Sequence, residues 1–270
     1  MAFKFSVLLS LYFKENPTFL RQSLDSILNQ TLLPDEIVLV KDGRLTKELD
    51  EIVEEYSIKY NIKIIPLSCN QGLGKALNIG LKHCSNHLVA RMDTDDISKQ
   101  NRFEKQIEIF KRYPDVDICS AWIDEFENNI ENILSTRKLP KSHVDIKMYA
   151  KKRCPINHPV AMFRKNAVLA AGGYQHFPLF EDYYLWIRML MNGSKFYNIQ
   201  ESLLLFRLSP EMFKRRGGWK YAMDELRFQQ MLKQIHFIST SEFIRNIVIR
   251  FLMRIAPNSW RAFIYKKILR

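Results

Sequence analysis

The nine residues from Leu88 to Asp96 constrain the fold of this chain more than any other segment. An apolar run, Leu88–Ala90, is followed by three carboxylates within four residues, at Asp93, Asp95 and Asp96. Carboxylates this close repel one another, and a divalent cation bound through oxygen removes the repulsion. The pattern predicts a buried strand whose carboxyl end faces the ligand crevice of an α/β sheet, with Mg²⁺ or Mn²⁺ beneath a nucleotide diphosphate. The alternative is a solvated acidic loop in which Asp96 caps the next helix.

The first 120 residues alternate strand-like and helix-like segments. Short β-type apolar runs predict strands at residues 5–11, 37–40, 62–67, 88–92 and 118–122. The segments between them place apolar residues at helical spacing, as in Leu20, Leu24 and Ile27. Strands separated by helices of this length indicate an α/β fold with a mostly parallel, doubly wound sheet.

The regularity fades after residue 124, and residues 124–160 are predicted to be irregular. Beyond this segment the patterns predict helices at 165–171 and 181–191 and a strand at 202–206. Residues 218–270 are predicted to be helical. We therefore divide the chain into a catalytic domain and a helical C-terminal extension, 1–215 and 216–270. Within the domain we expect a nucleotide-binding half and an acceptor-binding half, 1–123 and 124–215.

Composition narrows the classes of protein to consider. A formal net charge of +12 implies an anionic partner: a nucleotide phosphate, a lipid headgroup or a nucleic acid. Four cysteines without any CxxC pair indicate free thiols in a reducing compartment rather than a zinc site. No window approaches 18 uninterrupted apolar residues, and the amino terminus lacks a cleavable signal pattern, so we expect a cytoplasmic protein without a transmembrane helix.

Two sites in the first half have both a structural and a functional interpretation. Asp42 precedes Gly43 at the end of a predicted strand, so it is either a turn residue or an acceptor for a nucleobase or ribose. The Gly72–Gly74 loop opens a helix and could hold phosphate, with Lys75 either assisting or lying free on the surface. Full GxGxxG and GxxxxGK[ST] motifs are absent, which disfavours a dinucleotide site or a P-loop.

Three further sites lie in the second half. Asp182 follows Glu181 at a helix start. Its negative charge either stabilises the helix through the dipole, or its carboxylate acts as a general base. His158 lies in an Asn-His-Pro turn and is either structural or a metal ligand. Arg207 opens a basic stretch that is either solvated or grips a diphosphate; the stretch continues through Lys214, Arg215 and Arg216.

Taken in order, these segments resemble the family 2 glycosyltransferases with the GT-A fold, over roughly residues 3–215. The resemblance is carried by SVLLS (6–10), LRQSLDSILNQT (20–31), DEIVLVKDG (35–43), NQGLGKALNIG (70–80), ARMDTDD (90–96), NHP (157–159) and EDY (181–183). The chain is most similar to bacterial enzymes that build extracellular polysaccharide, capsule or O-antigen units, including the amylovoran-type branch.

The resemblance implies inverting transfer of a sugar from a nucleotide-diphospho-sugar, expected to be a UDP-sugar, with Mn²⁺ or Mg²⁺ as cofactor. Glu15 would line the nucleotide pocket, Asp42 would contact uracil or ribose, and Asp93 would lie by the ribose or donor sugar. Asp95 would coordinate the metal, and Asp182 would deprotonate the acceptor, expected to be a glycan on undecaprenyl diphosphate. The Gln-x-x-Arg-Trp motif of the processive branch is absent, which favours addition of a single sugar.

Two rival functions remain open at this point. A nucleotidyltransferase would need a Gly- and Arg-rich phosphate loop near the first strand, and residues 11–17 supply none. A basic nucleic-acid-binding protein would explain the charge, but the predicted acidic crevice argues against a nucleic-acid partner.

The C-terminal segment 242–270 combines basic and apolar residues at helical spacing. Its basic residues are Arg245, Arg250, Arg254, Arg261, Lys266, Lys267 and Arg270, against the single acid Glu242. Interleaved with them are Phe243, Ile244, Ile247, Val248, Phe251, Leu252 and Ile255. Such a helix either packs on the catalytic domain or lies on an anionic membrane, which would make the protein peripheral on the inner face of the cytoplasmic membrane.

Overall fold

The computed structural model describes residues 3–209 and 218–255, with side chains as far as residue 250. In this part of the chain a mixed nine-stranded sheet is covered by helices on both faces. Most of its strands run parallel, as the sequence predicts for a doubly wound α/β sheet.

The first half alternates strand and helix as the sequence predicts. Its elements are β1 (Phe5–Leu11), α1 (Pro17–Leu28), β2 (Glu36–Lys41), α2 (Lys47–Lys59), β3 (Ile62–Pro66), α3 (Leu73–His83) and β4 (Leu88–Arg91). The Asn16 side chain accepts hydrogen bonds from the first-turn amides of α1, and Thr46 caps α2 in the same way. Strand β1 pairs in parallel with β2 and β4, and β2 pairs in parallel with β3. The carboxyl ends of these strands therefore meet at one edge.

The second half completes the sheet with longer and less regular elements. They are β5 (Ile97–Ser98), α4 (Arg102–Arg112), β6 (Val116–Phe126), β7 (Ser135–Arg137), α5 (His143–Ala150), β8 (Met162–Arg164), α6 (Lys165–Ala170), α7 (Glu181–Met191), β9 (Lys195–Arg207), α8 (Gly218–Gln234) and α9 (Thr240–Ile255). The strand order is β3-β2-β1-β4-β8-β6-β9-β5, and β7 pairs with β6. Strand β8 is antiparallel to both its neighbours, whereas β6 and β9 are parallel.

The prediction of an irregular segment at 124–160 is wrong, because this segment contains β7 and α5. Helix α5 has only eight residues and buries only Ile146 and Ala150, so its helical period is too short to be recognised in the sequence. Strand β9 is also longer than predicted, starting at Lys195 rather than 202. Register shifts against β6 interrupt its alternation of buried and exposed residues, which explains the missed part.

Apolar side chains fill both faces of the sheet. Leu8 of β1 belongs to the core shared with α3, α7 and α8, whereas Leu9 belongs to the core shared with α1, α2 and α4. Burial on both faces explains why strands such as β1 and β2 consist mainly of apolar residues. Phe228 and Leu232 of α8 belong to the first core, so the described part of the C-terminal extension packs on the catalytic domain. The predicted boundary at 215/216 lies outside the described residues.

Candidate active site

The acidic loop after β4 is attached to the loop after β1. Glu15 accepts a hydrogen bond from the Thr94 hydroxyl at 2.6 Å and another from the Asn16 amide at 2.9 Å. Ser23 of α1 donates to the Asp93 carbonyl at 2.8 Å. These contacts bring Glu15 beside Asp93 and Asp95 at the carboxyl edge of the sheet, where the sequence places the nucleotide site.

The carboxylates of this loop repel one another in a poorly solvated environment. Burial, followed by the charges of Asp93 and Glu15, raises the pKa of Asp95 to about 7. Burial also raises the pKa of Glu15, and the pKa of Asp96 lies well above its ordinary value. A divalent cation would relieve this repulsion, because carboxylate oxygens are the ligands that Mg²⁺ and Mn²⁺ prefer. The donor set therefore fits the predicted metal, and both Asp93 and Asp95 are partly accessible.

Protein side chains do not form a closed metal cage here. Within residues 3–209 and 218–255, no group of three or more His, Cys, Asp or Glu side chains is arranged so that it could hold an ion.

Asp96 and Arg207 connect the acidic loop to the end of β9 and hold it in place. Asp96 is fully buried and accepts a hydrogen bond from the Arg207 amide at 2.9 Å, so it does not cap the following helix. The Arg207 guanidinium donates to the Asp95 carbonyl at 2.9 Å and to the Gln22 side chain at 2.6 Å. Its carbon lies 3.8 Å from the ring centroid of Phe19. Arg207 thus orients the backbone of the acidic loop, and its role in binding a diphosphate stays a prediction.

Asp42 organises the loop that precedes α3. Its two carboxylate oxygens accept hydrogen bonds from the Gln71 amide at 2.7 Å and the Gly72 amide at 3.0 Å. Asp42 is buried at the end of β2, on the same sheet edge as the acidic loop. The Gly72 amide that could have held phosphate is therefore already bonded to Asp42. Lys75 lies in the first turn of α3, where its side chain is exposed.

Glu181 and Asp182 begin α7 close to α3 and to the end of α5. A Cβ built on Gly74 of α3 would lie 3.6 Å from the Glu181 Cγ. The Cys154 thiol donates to Asp182 Oδ2 at 3.9 Å, and Asp182 is partly exposed. Burial raises the pKa of Glu181, and the adjacent Asp182 charge adds to this rise. The sequence prediction of an acidic pair at a helix start is confirmed by this placement; its role as a base stays a prediction.

His158 is partly buried beside α7. Its Nε2 is 2.9 Å from the Tyr174 hydroxyl, and its ring meets Trp186 edge-on with centroids 5.9 Å apart. Burial, followed by the charge of Arg91, holds the pKa of His158 well below its usual range, so the ring is neutral. The structure thus places His158 in a packed cluster with Tyr174, while the predicted metal role stays a prediction.

Sequence reasoning gave no role to Arg91, the last residue of β4. Its side chain is 1% exposed and forms an ion pair with Asp93. Its Nε and Nη1 have no hydrogen-bond partner among the described residues. The sequence does contain a signal for this residue, because Arg91 is the only charged residue in the otherwise apolar stretch Leu88–Met92. A charge inside a buried strand needs a partner, and here the first aspartate of the acidic loop supplies it.

Replacing Asp95 by Asn is expected to raise the Tm of the metal-free protein by several degrees at about pH 8. A carboxyl whose pKa is raised to about 7 in the folded state binds its proton more tightly there, so stability falls as the pH rises through that value. The gain should shrink as the pH falls toward the ordinary aspartate range, where the wild-type carboxyl is neutral too. Thermal unfolding in EDTA across this range tests it; a gain independent of pH would contradict it.

The chain is matched by a family model described as "Glycosyl transferase family 2" over residues 6–172. It is 42% identical to the UDP-Gal:alpha-D-GlcNAc-diphosphoundecaprenol beta-1,3-galactosyltransferase of Escherichia coli, over 99% of this chain and 97% of that protein. It is 40% identical to the amylovoran biosynthesis glycosyltransferase AmsE of Erwinia amylovora, over 97% and 98%. Among solved structures, S. aureus TarS (residues 1–349) in complex with UDP-GlcNAc is similar in fold, with a TM-score of 0.69 and 16% identity over 98% of this chain and 76% of that one.

The fold and the acidic loop define a GT-A glycosyltransferase. The chain belongs to glycosyl transferase family 2, and the predicted resemblance is confirmed. This family assignment favours the glycosyltransferase over the two rival hypotheses, a nucleotidyltransferase and a nucleic-acid-binding protein.

Proposed function

We propose that this enzyme transfers one sugar, with inversion, from a UDP-sugar to a glycan on undecaprenyl diphosphate during bacterial surface polysaccharide synthesis. The observation that carries the proposal is the cluster of Glu15, Asp93 and Asp95 at the sheet edge, with Asp182 on α7 of the other half. The name of the Escherichia coli relative supports both the donor class and the lipid-linked acceptor.

On the donor side, each predicted residue has a distinct task. Asp95 would hold Mn²⁺ or Mg²⁺, which when bound would neutralise charge on the leaving diphosphate. A mannosyltransferase of Pyrobaculum calidifontis, similar in fold (14% identity, TM-score 0.64, covering 95% of this chain and 71% of that one), was solved with GDP-Man and Mn²⁺.

The remaining donor-side residues would bind the nucleotide itself. Glu15 and Asp42 would line the uridine pocket, and Asp93, oriented by its ion pair with Arg91, would accept from a hydroxyl of the ribose or donor sugar. Arg207 and Lys75 would attract the diphosphate as cations.

On the acceptor side, Asp182 would act as the general base. The acceptor hydroxyl oxygen forms a bond to the anomeric carbon while the bond from that carbon to the diphosphate oxygen breaks. The hydroxyl proton passes to Asp182, and the departing nucleotide diphosphate takes the electron pair. Because attack occurs opposite the leaving group, the configuration at the anomeric carbon inverts.

A lipid-linked acceptor requires the enzyme to work at a membrane surface. Within the described residues, no helix combines the length and the apolar character that crossing a bilayer requires. We propose peripheral binding to an anionic membrane, on its cytoplasmic face, through residues 242–270. Of this segment, residues 256–270 lie outside the described residues.

Incubation with a panel of nucleotide sugars and a short-chain GlcNAc-diphospholipid tests the reaction. UDP-galactose, UDP-glucose, UDP-GlcNAc and GDP-mannose are compared with Mn²⁺, Mg²⁺ or EDTA, and the product is analysed by mass spectrometry and NMR. We expect a product with one added sugar, a UDP-sugar as donor, loss of turnover in EDTA, and a β-linkage from an α-linked donor. Retained configuration, or full turnover in EDTA, would contradict the mechanism.

A further inference from the structure

Helix α9 contacts the domain through polar side chains and through Phe243, which packs against the first core, and it leaves other apolar side chains exposed. Asn246 is 4% exposed, and its amide donates to the Lys151 carbonyl at 2.7 Å and to Gln229 at 2.9 Å. Glu242, one turn earlier, pairs with the Lys151 ammonium at 3.0 Å. Ile244 and Val248, on the opposite side, are 56% and 51% exposed. A surface helix normally buries its apolar side chains on a core, whereas α9 leaves these two exposed.

Helix α5 presents a similar surface beside it. Val144 and Met148, four residues apart, are 65% and 58% exposed, whereas Ile146 between them is buried. The segment 143–153 carries Lys147, Lys151, Lys152 and Arg153 against the single acid Asp145. Apolar side chains flanked by lysine and arginine are typical of helices that lie in the interface of a bilayer.

The two helices are joined directly. Besides the two contacts of Lys151, Arg250 of α9 donates to the Lys152 carbonyl and pairs with Glu225 of α8. The polar side of α9 is thus occupied by the end of α5 and by α8. Both outward apolar pairs, Val144/Met148 and Ile244/Val248, stay exposed in the described part of the chain.

The end of α5 also reaches the proposed base. The Tyr183 hydroxyl donates to the Ala150 carbonyl at 2.6 Å, and Cys154 donates to Asp182. The chain therefore passes within four residues from the basic end of α5, at Lys151, to the contact with Asp182. An acceptor whose lipid tail lies in a bilayer against α5 would present its sugar on the side of Asp182.

We propose that α5 and α9 together form one membrane-binding surface, the α5–α9 surface, made by Val144, Met148, Ile244, Val248, Lys147 and Lys152. Its occupant is an anionic bilayer, because the exposed apolar pairs are flanked by cations and the sequence continues with a basic excess through residue 270. The role of this surface in acceptor delivery rests on the proposed function, whereas membrane binding itself does not.

The test is flotation of the full-length protein with vesicles of phosphatidylethanolamine and phosphatidylglycerol, compared with phosphatidylcholine alone, at low and high salt. We expect binding to the anionic vesicles that weakens with salt. Val144→Asp with Met148→Asp should reduce it by about tenfold or more, because two apolar side chains no longer enter the interface. Lys147→Glu should reduce it by about fivefold or more, because each cation contributes about this factor near an anionic surface.

A matched control is Leu33→Asp with Ile58→Asp, since these side chains are 57% and 80% exposed outside α5 and α9 and the charge change is identical. Equal flotation of the α5 double variant and this control would overturn the proposal, as would equal binding to both vesicle types. Loss of a dimer in the α5 variant, without vesicle binding by the wild type, would also overturn it and identify a protein interface.

Transfer assays separate this surface from the proposed function. The α5 double variant should keep its rate with a short-chain acceptor in solution and lose rate with a long-chain acceptor in vesicles. An equal loss with both acceptors would overturn the delivery role. Salt-sensitive flotation without any sugar transfer would refute the proposed function and support the surface.

Discussion

Asp182→Asn is expected to lower the transfer rate by about 10² or more, the usual effect of removing a general base, while UDP binding stays unchanged. The amide keeps the size of the side chain at the start of α7 but cannot accept the acceptor proton. Steady-state transfer and calorimetric UDP binding measure the two effects separately. Equal loss of UDP binding would show instead that Asp182 supports the structure of the donor site.

Asp50→Asn is the matched control for this variant. Asp50 also lies in the first turn of a helix, α2, where the helix dipole stabilises a negative charge. If the charge of Asp182 serves only to stabilise the start of α7, both variants should lose a similar, small amount of stability and keep their rates. A rate loss confined to Asp182→Asn supports the base.

Asp95→Asn is expected to abolish turnover, by about 10³-fold or more, and to weaken UDP binding in Mn²⁺ far more than in EDTA. Asp95 is the carboxylate of the acidic loop that we expect to hold the metal, and an amide oxygen carries no charge to attract it. The same substitution should stabilise the metal-free protein, so lost activity cannot be attributed to unfolding. UDP titrations with and without Mn²⁺ give the comparison.

Asp117→Asn controls for removal of an acidic charge from the sheet. Asp117 lies at the start of β6, away from the carboxyl edge, and accepts a hydrogen bond from the Lys195 amide at 2.9 Å. It should keep both turnover and the metal dependence of UDP binding. Full activity in Asp95→Asn, or wild-type activity in EDTA, would refute the assignment of Asp95.

The acidic loop and the parallel half of the sheet were predictable from the sequence, because their signals are local. Strands β1 to β4 are mostly apolar runs, and the helices between them repeat apolar residues every three or four positions. Parallel strands connected by helices end at one edge, so Asp42 and Asp95 had to lie on the same side.

The roles of individual side chains were less predictable, because their partners are distant in sequence. Asp42 accepts hydrogen bonds from amides 29 and 30 residues away. These bonds show that Asp42 supports the loop before α3 and is more than a turn residue. The Arg207 guanidinium contacts the Asp95 carbonyl 112 residues away, a contact that depends on how β9 enters the sheet.

The sequence by itself determined the α/β class, the position of the acidic loop and the acidic pair at the start of α7, since each depends on neighbouring residues. Only the tertiary structure decided that Asp96 is buried and bonded to the Arg207 amide, and that α9 buries Asn246 while Ile244 and Val248 stay exposed. A hydrophobic pattern shows that a helix has two sides. Which side faces the protein depends on the groups that the rest of the chain presents, here the backbone carbonyl of Lys151 and the side-chain oxygen of Gln229.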